Sequence, residues 1–218
     1  GKNAKVILEI GGHYGEDTLR FYKYFPESKI YSFEPDPRNI QIFKKCCSKI
    51  DSIQLIEKAV SNKHNETILF NQAMNKDNNN IIQDKYNYIG IEDYKNLKLS
   101  GSGASSIKSI NHENVEIYNV IEVKTVRLDL WAIDNNIDII DFIWIDVQGA
   151  EKEVIEGLKN IIEKVRYIQL EYGETSYEGG LSKQETYNMM INNNFELVSD
   201  YNPNSLNGDF LFKRIYKE

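Results

Sequence analysis

Short apolar runs and amphipathic stretches alternate along the first part of the chain. Lys5 to Ile10 is an apolar run that stops at a glycine cluster, and it predicts a strand. Glu16 to Phe25 follows at helical spacing, with Leu19, Phe21, Tyr22 and Phe25 available to a buried face, and Pro26 closes it. Lys29 to Phe33 is strand-like, Pro37 to Ser48 reads as helix, and Ser52 to Glu57 is strand-like again. Strand, helix, strand, helix, strand with short joints is the order of a parallel sheet covered by helices, an α/β fold.

The pattern loosens in the middle and then returns. Glu66 to Phe70 has strand character, but Asn75 to Leu99 is polar, with Tyr86, Tyr88 and Tyr94 scattered through it and a run Asn78-Asn79-Asn80. That stretch reads either as a solvated insertion or as a substrate lid. The segment Gly101-Ser102-Gly103-Ala104-Ser105-Ser106 after it must be flexible or tightly turned. Ile121 to Val126 is a strand and Leu128 to Asp134 a short helix. Phe142 to Val147 is almost wholly apolar, as a strand buried on both faces should be. Ala150 to Ile162 reads as helix, Val165 to Glu171 as strand and Lys183 to Asn192 as helix. Phe195 to Ser199 and Asp209 to Lys213 form an expected terminal antiparallel pair. The expected organisation is one domain over 1–218 with a polar insertion at about 72–119.

Bulk properties narrow the partners. With 218 residues, 41% hydrophobic, the chain can bury one good core. A formal charge of −7 weakens the case for nucleic acid or an anionic membrane, which need clustered Lys and Arg. The two cysteines, Cys46 and Cys47, are neighbours, so no disulfide framework exists and a reducing, cytoplasmic setting is expected. No apolar run approaches the roughly 18 residues that span a bilayer. No signal peptide opens the chain; Gly1-Lys2 leads straight into a strand pattern, which leaves an upstream segment open.

Four constellations carry candidate chemistry. In Glu9-Ile10-Gly11-Gly12-His13-Tyr14-Gly15 the glycines let the backbone turn sharply at a strand end and approach a ligand, and the next helix points its N-terminus at the crevice. Carboxylates at Glu9, Glu16 and Asp17 would repel a pyrophosphate but suit a ligand bearing an ammonium and a sulfonium, as S-adenosylmethionine does. Glu34 ends the second strand 19 residues after Gly15, the spacing of an acid that accepts both ribose hydroxyls, while Asp36 before Pro37 is placed to cap the next helix. Asp146 emerges at the carboxyl edge of a buried strand, and reads either as a site residue or as a helix cap. Glu151 is expected to complement the helix dipole. Glu171 reaches the same edge from the next strand. Asp146 and Glu171 could flank a substrate hydroxyl or, less favoured, hold a divalent metal. The three histidines (His13, His64, His112) show no zinc-ligand spacing.

Taken together, Leu8 to Leu19, Phe33-Glu34-Pro35, Lys58-Ala59-Val60-Ser61, Ala104-Ser105-Ser106, Thr125 to Asp129 and Ile145 to Glu151 resemble the FkbM-type methyltransferases over roughly residues 5 to 175. The resemblance implies a Rossmann-like class I methyltransferase fold: a seven-stranded, mostly parallel sheet with an antiparallel last strand and helices on both faces. It implies S-adenosyl-L-methionine against Gly11, Gly12, His13, Tyr14, Gly15 and Thr18, ribose at Glu34 beside Pro35, and adenine bordered by Ala59 and Val60, with Ser105 and Asp146 also near the cofactor. It further implies methylation of a hydroxyl on a sugar, glycan or small natural product. The chain departs from the family's usual pattern at Glu9 (commonly Asp), His13 (Asn), Trp144 (Lys) and Gln148 (Glu). Trp144 is expected to pack in the core. Asp146, Glu171 and His13, in that order, are the candidate bases for the acceptor hydroxyl. A nicotinamide oxidoreductase shares the early turn but wants a third glycine where Glu16 stands. A non-catalytic binding module and a homodimer are left open.

Overall fold

The computed structural model describes residues 4–76, 101–111, 113–173 and 176–216. Most of the Tyr-rich stretch from Asn75 to Leu99, expected as an insertion or lid, lies outside these residues, as does His112. Among the described residues ten strands and five α-helices follow one another: β1 (Val6–Ile10), α1 (Glu16–Tyr24), β2 (Lys29–Phe33), α2 (Pro37–Cys47), β3 (Ile53–Ile56), β4 (Ala59–Val60) and β5 (Thr67–Asn75) come first. After them come β6 (Val115–Val126), α3 (Leu128–Asp134), β7 (Ile140–Ile145), α4 (Glu151–Gly157), β8 (Val165–Gly173), α5 (Lys183–Asn192), β9 (Phe195–Asp200) and β10 (Asn207–Arg214).

The main sheet runs β3-β2-β1-β7-β8-β10-β9. β3, β2, β1, β7 and β8 are parallel, and β10 pairs antiparallel with both β8 and β9. The expected mostly parallel sheet with an antiparallel last strand is therefore found. Successive β1 side chains point to opposite faces. Ile7 packs with Phe21 of α1 and with Ile30, and Trp144 joins this side with its ring centroid 5.7 Å from that of Phe21. Leu8 and Ile10 instead join the larger core of Leu128, Val154, Ile168 and Phe212. Helices thus cover both faces.

Local chemistry explains several boundaries. Asp36 caps α2, accepting from Arg38 N at 2.9 Å, and Pro37 opens the helix. Ser182 and Glu185 make a reciprocal capping box at the start of α5. Other boundaries differ from expectation. β7 ends at Ile145, not Val147, because Gln148 (φ 56) and Gly149 (φ 94) turn the chain out of the sheet. The helix expected over Ala150 to Ile162 stops at Gly157, and a short 3-10 turn, Ile162–Lys164, leads into β8. β5 and β6 are each longer than expected, because they pair antiparallel from Thr67↔Lys124 to Asn75↔Val115. The flanks of the expected insertion at about 72–119 are thus strands. β4 pairs parallel with the end of β6, making a small second sheet β4-β6-β5.

Candidate functional site

The loop after β1 hangs between its two neighbours at the carboxyl edge of the sheet. Gly11 N and Gly12 N both donate to Phe33 O, at 3.0 and 2.9 Å, and Asp146 N donates to Ile10 O at 2.9 Å. Gly11 has φ +98, and a Cβ there would lie 1.9 Å from the carbonyl oxygen of Asp146, so only glycine fits between the strand ends. This approach leaves a cavity of ≈ 350 Å³ bordered by the β1 loop, Glu34-Pro35, Lys58 to Val60, Ser102, Gly103, Ser105 and Asp146 to Gln148. That volume is at the lower end for a small-molecule site.

Glu34 closes one side of it. The carboxylate is 4% exposed and accepts from His13 N at 2.8 Å, Asp36 N at 2.8 Å and Asn39 Nδ2 at 3.3 Å. Burial raises its pKa to about 7 against the lowering effect of the Asp36 N–H. Next to it, Asn39 Oδ1 is buried with no hydrogen-bond partner among the described residues. A buried acceptor without a donor is costly, and a ligand hydroxyl or amine would satisfy it. The wall beyond Glu34 is apolar: Ala59, Val60, Phe70 and Ile107 all border the cavity. Phe70 and Ile107 were not among the expected contacts, since they come from β5 and the turn after Ser106, which meet only through non-local pairing.

A polar quartet fixes that wall. Asp36 takes the Arg38 guanidinium at 2.7 Å and Gln72 Nε2 at 2.8 Å. Arg38 reaches on to Ala73 O and Ser105 Oγ, each at 3.1 Å, and Ser105 Oγ accepts from Ala73 N at 2.9 Å. Ser105 borders the cavity, but its hydroxyl is spent on this network.

The expected contacts divide into two groups. Glu9, Gly11, Gly12, His13, Glu34, Pro35, Ala59, Val60, Ser105 and Asp146 all border the cavity. Tyr14, Gly15 and Thr18 are not among its lining residues. Thr18 is fully buried and donates to Glu9 Oε2, and Tyr14 OH lies 2.6 Å from Ser102 Oγ. Glu9 is itself 1% exposed and takes Ser32 Oγ on the same oxygen at 2.6 Å. His13, expected as a candidate base, has both ring nitrogens engaged: Nδ1 is 3.2 Å from Glu16 Oε1 and Nε2 is 3.2 Å from Ser102 Oγ. Because a carboxylate only accepts, Nδ1 carries a hydrogen toward Glu16, while Nε2 shares a hydrogen bond with the Ser102 hydroxyl. His13 therefore braces the loop.

Asp146 and Glu171 come together through Gln148. Its Nε2 donates to Asp146 Oδ1 and, at 3.0 Å, to Glu171 Oε2. Asp146 makes no cap for α4, which opens at Ala150 without a side-chain cap; Glu151, its first residue, accepts from Gly149 N in the preceding turn at 3.1 Å. Asp146 is open to the crevice, yet surrounding protein displaces water around it. That burial raises its pKa, with Asp209 adding to the rise and Gln148 opposing it. Glu171 is raised too, by burial first and then by the charge of Asp146. Glu171 and Gln148 also border a second cavity of ≈ 220 Å³ with Tyr177, Ser176 and Asn207. Among the described residues no cluster of three or more His, Cys, Asp or Glu has metal-holding geometry. No helix of the described residues is long and apolar enough to cross a membrane.

Comparison with known proteins identifies this arrangement. Residues 9–198 match the model of the methyltransferase FkbM domain. The chain is 33% identical over 214 residues to the 2-O-methyltransferase NoeI of Sinorhizobium fredii (strain NBRC 101917 / NGR234), covering 97% of this chain and 80% of that protein. Among solved structures, the Methanococcus jannaschii fibrillarin pre-rRNA processing protein matches with a TM-score of 0.52 at 12% identity, over 99% of this chain and 69% of that one. Aeropyrum pernix fibrillarin, solved with natively bound S-adenosyl-L-methionine, matches with a TM-score of 0.50 at 12% identity, over 97% and 67%. At that identity the two structures speak for the Rossmann-like fold alone. The match to the family model spans most of the chain, from Glu9 in β1 to Val198 in β9. The chain belongs to the FkbM methyltransferase family and is an S-adenosylmethionine-dependent methyltransferase.

Proposed function

We propose that the protein methylates a hydroxyl oxygen on a sugar, glycan or small natural product, at the border between the two cavities that Gln148 lines. The observation that carries this reading is the Asp146–Gln148–Glu171 bridge, which sits where the cofactor cavity meets the smaller one. The 2-O-methyltransferase relative supports oxygen as the methyl acceptor.

The residues present suit the cofactor. Glu34 would accept ribose hydroxyls on lone pairs left over from its backbone donors, and Asn39 Oδ1 offers a second, vacant acceptor. Ala59, Val60, Phe70 and Ile107 would hold the adenine by burial of apolar surface. Glu16, Asp17 and Asp146 give the opposite end a negative potential for an ammonium. When bound, S-adenosylmethionine supplies a methyl group on an already activated sulfonium. The chain's own task is then to align the acceptor and take its proton. Asp146 or Glu171, ionised, accepts that proton, and their raised pKa values bring the pair nearer to neutral pH, where a base is both ionised and strong enough. We assign the pair to proton transfer rather than to a divalent ion because Gln148 points amide hydrogens, not an oxygen, at both carboxyls.

The test is methyl transfer from labelled S-adenosylmethionine to a panel of neutral methyl glycosides and small polyols, with and without Mg²⁺, alongside calorimetric titration with S-adenosylhomocysteine. A new O-methyl resonance in a product supports the reading. Cofactor binding with methylation only at nitrogen or carbon would overturn it.

A further inference from the structure

Gln148 occupies the centre of the crevice in a conformation that costs the chain something. Its φ of 56 is unusual for a residue with a side chain. The backbone is tied there, since its carbonyl accepts from Ser106 Oγ at 2.7 Å. Gly149 follows at φ +94, and a Cβ on it would lie 2.4 Å from Tyr177 Cβ, so Tyr177 rests directly on bare backbone. Tyr177 is held in turn. Asn111 N donates to Ser176 O at 2.8 Å and Glu178 N donates to Ser109 O at 3.0 Å, stitching residues 176–178 to 109–111.

Tyr177 then fixes the amide. Its hydroxyl has one hydrogen and lies 2.6 Å from Gln148 Oε1, against 3.2 Å from Ala104 O. With Oε1 so engaged, the NH₂ group must face the other way. There it meets Asp146 and Glu171, two groups that only accept when ionised. Both ends of the side chain therefore demand the same orientation. The NH₂ hydrogens are also well matched in number, one to each carboxyl.

We propose that Gln148, held by Tyr177, is a positioning residue for methyl transfer: its single NH₂ group joins Asp146 to Glu171, so that one carboxylate takes the acceptor's proton while the other stays anchored. The acceptor oxygen exchanges its proton for the methyl group, and the proton ends as an O–H bond on that carboxyl. This rests on the reading of the pair as the base. The groups whose charge acts on the pair are Glu151 of α4, Asp209 of β10, Asp17 of α1 and His13 of the loop. All but His13 are acids that push the two carboxyls toward protonation. Gln148 is the hydrogen-bond donor that opposes them, because a bond donated to the ionised form favours that form.

The decisive measurement needs no acceptor. Protein labelled with ¹³C at Asp and Glu carboxyls, saturated with S-adenosylhomocysteine, is titrated by NMR, with D146N and E171Q assigning the two resonances. Gln148→Ala should raise both midpoints by about half a pH unit or more, and Tyr177→Phe should raise them less. Should Gln148→Ala fold poorly, Gln148→Met keeps the volume and removes the donor. On any acceptor the panel yields, Gln148→Ala should lower kcat about tenfold or more and move the acid limb of its pH profile with the NMR midpoints. Unmoved midpoints in a folded Gln148 variant overturn the proposal, as does a loss of Tm with no change in the pH profile. Failure of the wild type to bind S-adenosylhomocysteine would instead sink the functional reading, and titration of the unliganded protein would still decide the role of Gln148.

Discussion

Glu9→Gln should change how stability depends on pH while leaving the fold intact. Glu9 is 1% exposed, and burial pushes its pKa from 4.5 to about 8 despite the hydroxyls of Ser32 and Thr18. Between those two values the folded chain keeps a proton that the unfolded chain has lost. Stability attributable to Glu9 is therefore intact below pH 4.5, falls as pH rises, and is spent above pH 8. At about 1.4 kcal/mol per pH unit the ceiling on that loss is about 5 kcal/mol. Both hydroxyls donate to the same oxygen, Oε2, so a glutamine can keep that acceptor and place its NH₂ where the protonated acid carries its hydrogen. Urea unfolding of both proteins, without cofactor, from pH 5 to 9 provides the test. The two should be nearly equal at pH 5, with the variant more stable by several kcal/mol at pH 9. Glu34 and Glu151, also raised to about 7, occur in both proteins and cancel in the difference. A difference that stays within about 1 kcal/mol across the range would refute the argument that Glu9 is held neutral by burial.

Four further outcomes follow from the same geometry. Glu34→Ala should weaken S-adenosylhomocysteine binding by about 1–3 kcal/mol, read by calorimetry, through loss of a buried acceptor. Asp146→Asn should lower methyl transfer by about a hundredfold or more in the labelled-donor assay at saturating donor. Gly11→Ala forces a Cβ against the Asp146 carbonyl at positive φ and should lower Tm, costing about 2 kcal/mol or more in urea titrations. Arg38→Met strands the buried Asp36 carboxylate and should cost about 3–5 kcal/mol by the same measurement.

What the sequence disclosed was governed by local chemistry. The limits of α5 are legible because Ser182 and Glu185 stand at capping-box spacing, and those of β2 because an apolar run ends at an acid before Pro35. Asp36 as cap and Glu34 as cavity residue follow from their order before Pro37. What stayed hidden depends on partners remote in the chain. β6 looks only half strand-like, since its residues from Glu116 to Val120 are all exposed, and it extends because β5 pairs with it. Gly157, the last residue of α4, passes so close to Ser61 O that a Cβ there would lie 2.7 Å away, a contact the sequence alone does not show. Gln148 is visible in the sequence as a departure from the family's usual glutamate. Its role becomes apparent only when Tyr177, 29 positions on, arrives against it.

The Asp36 carboxylate ties helix, strand and serine turn at one point, and that has a bearing on motion. Segments that share a buried ionic knot tend to open as a cooperative unit rather than separately. Amide hydrogens at Ala73 and Arg38 should therefore exchange with solvent at a common rate, and the apolar side of the crevice should breathe as one piece.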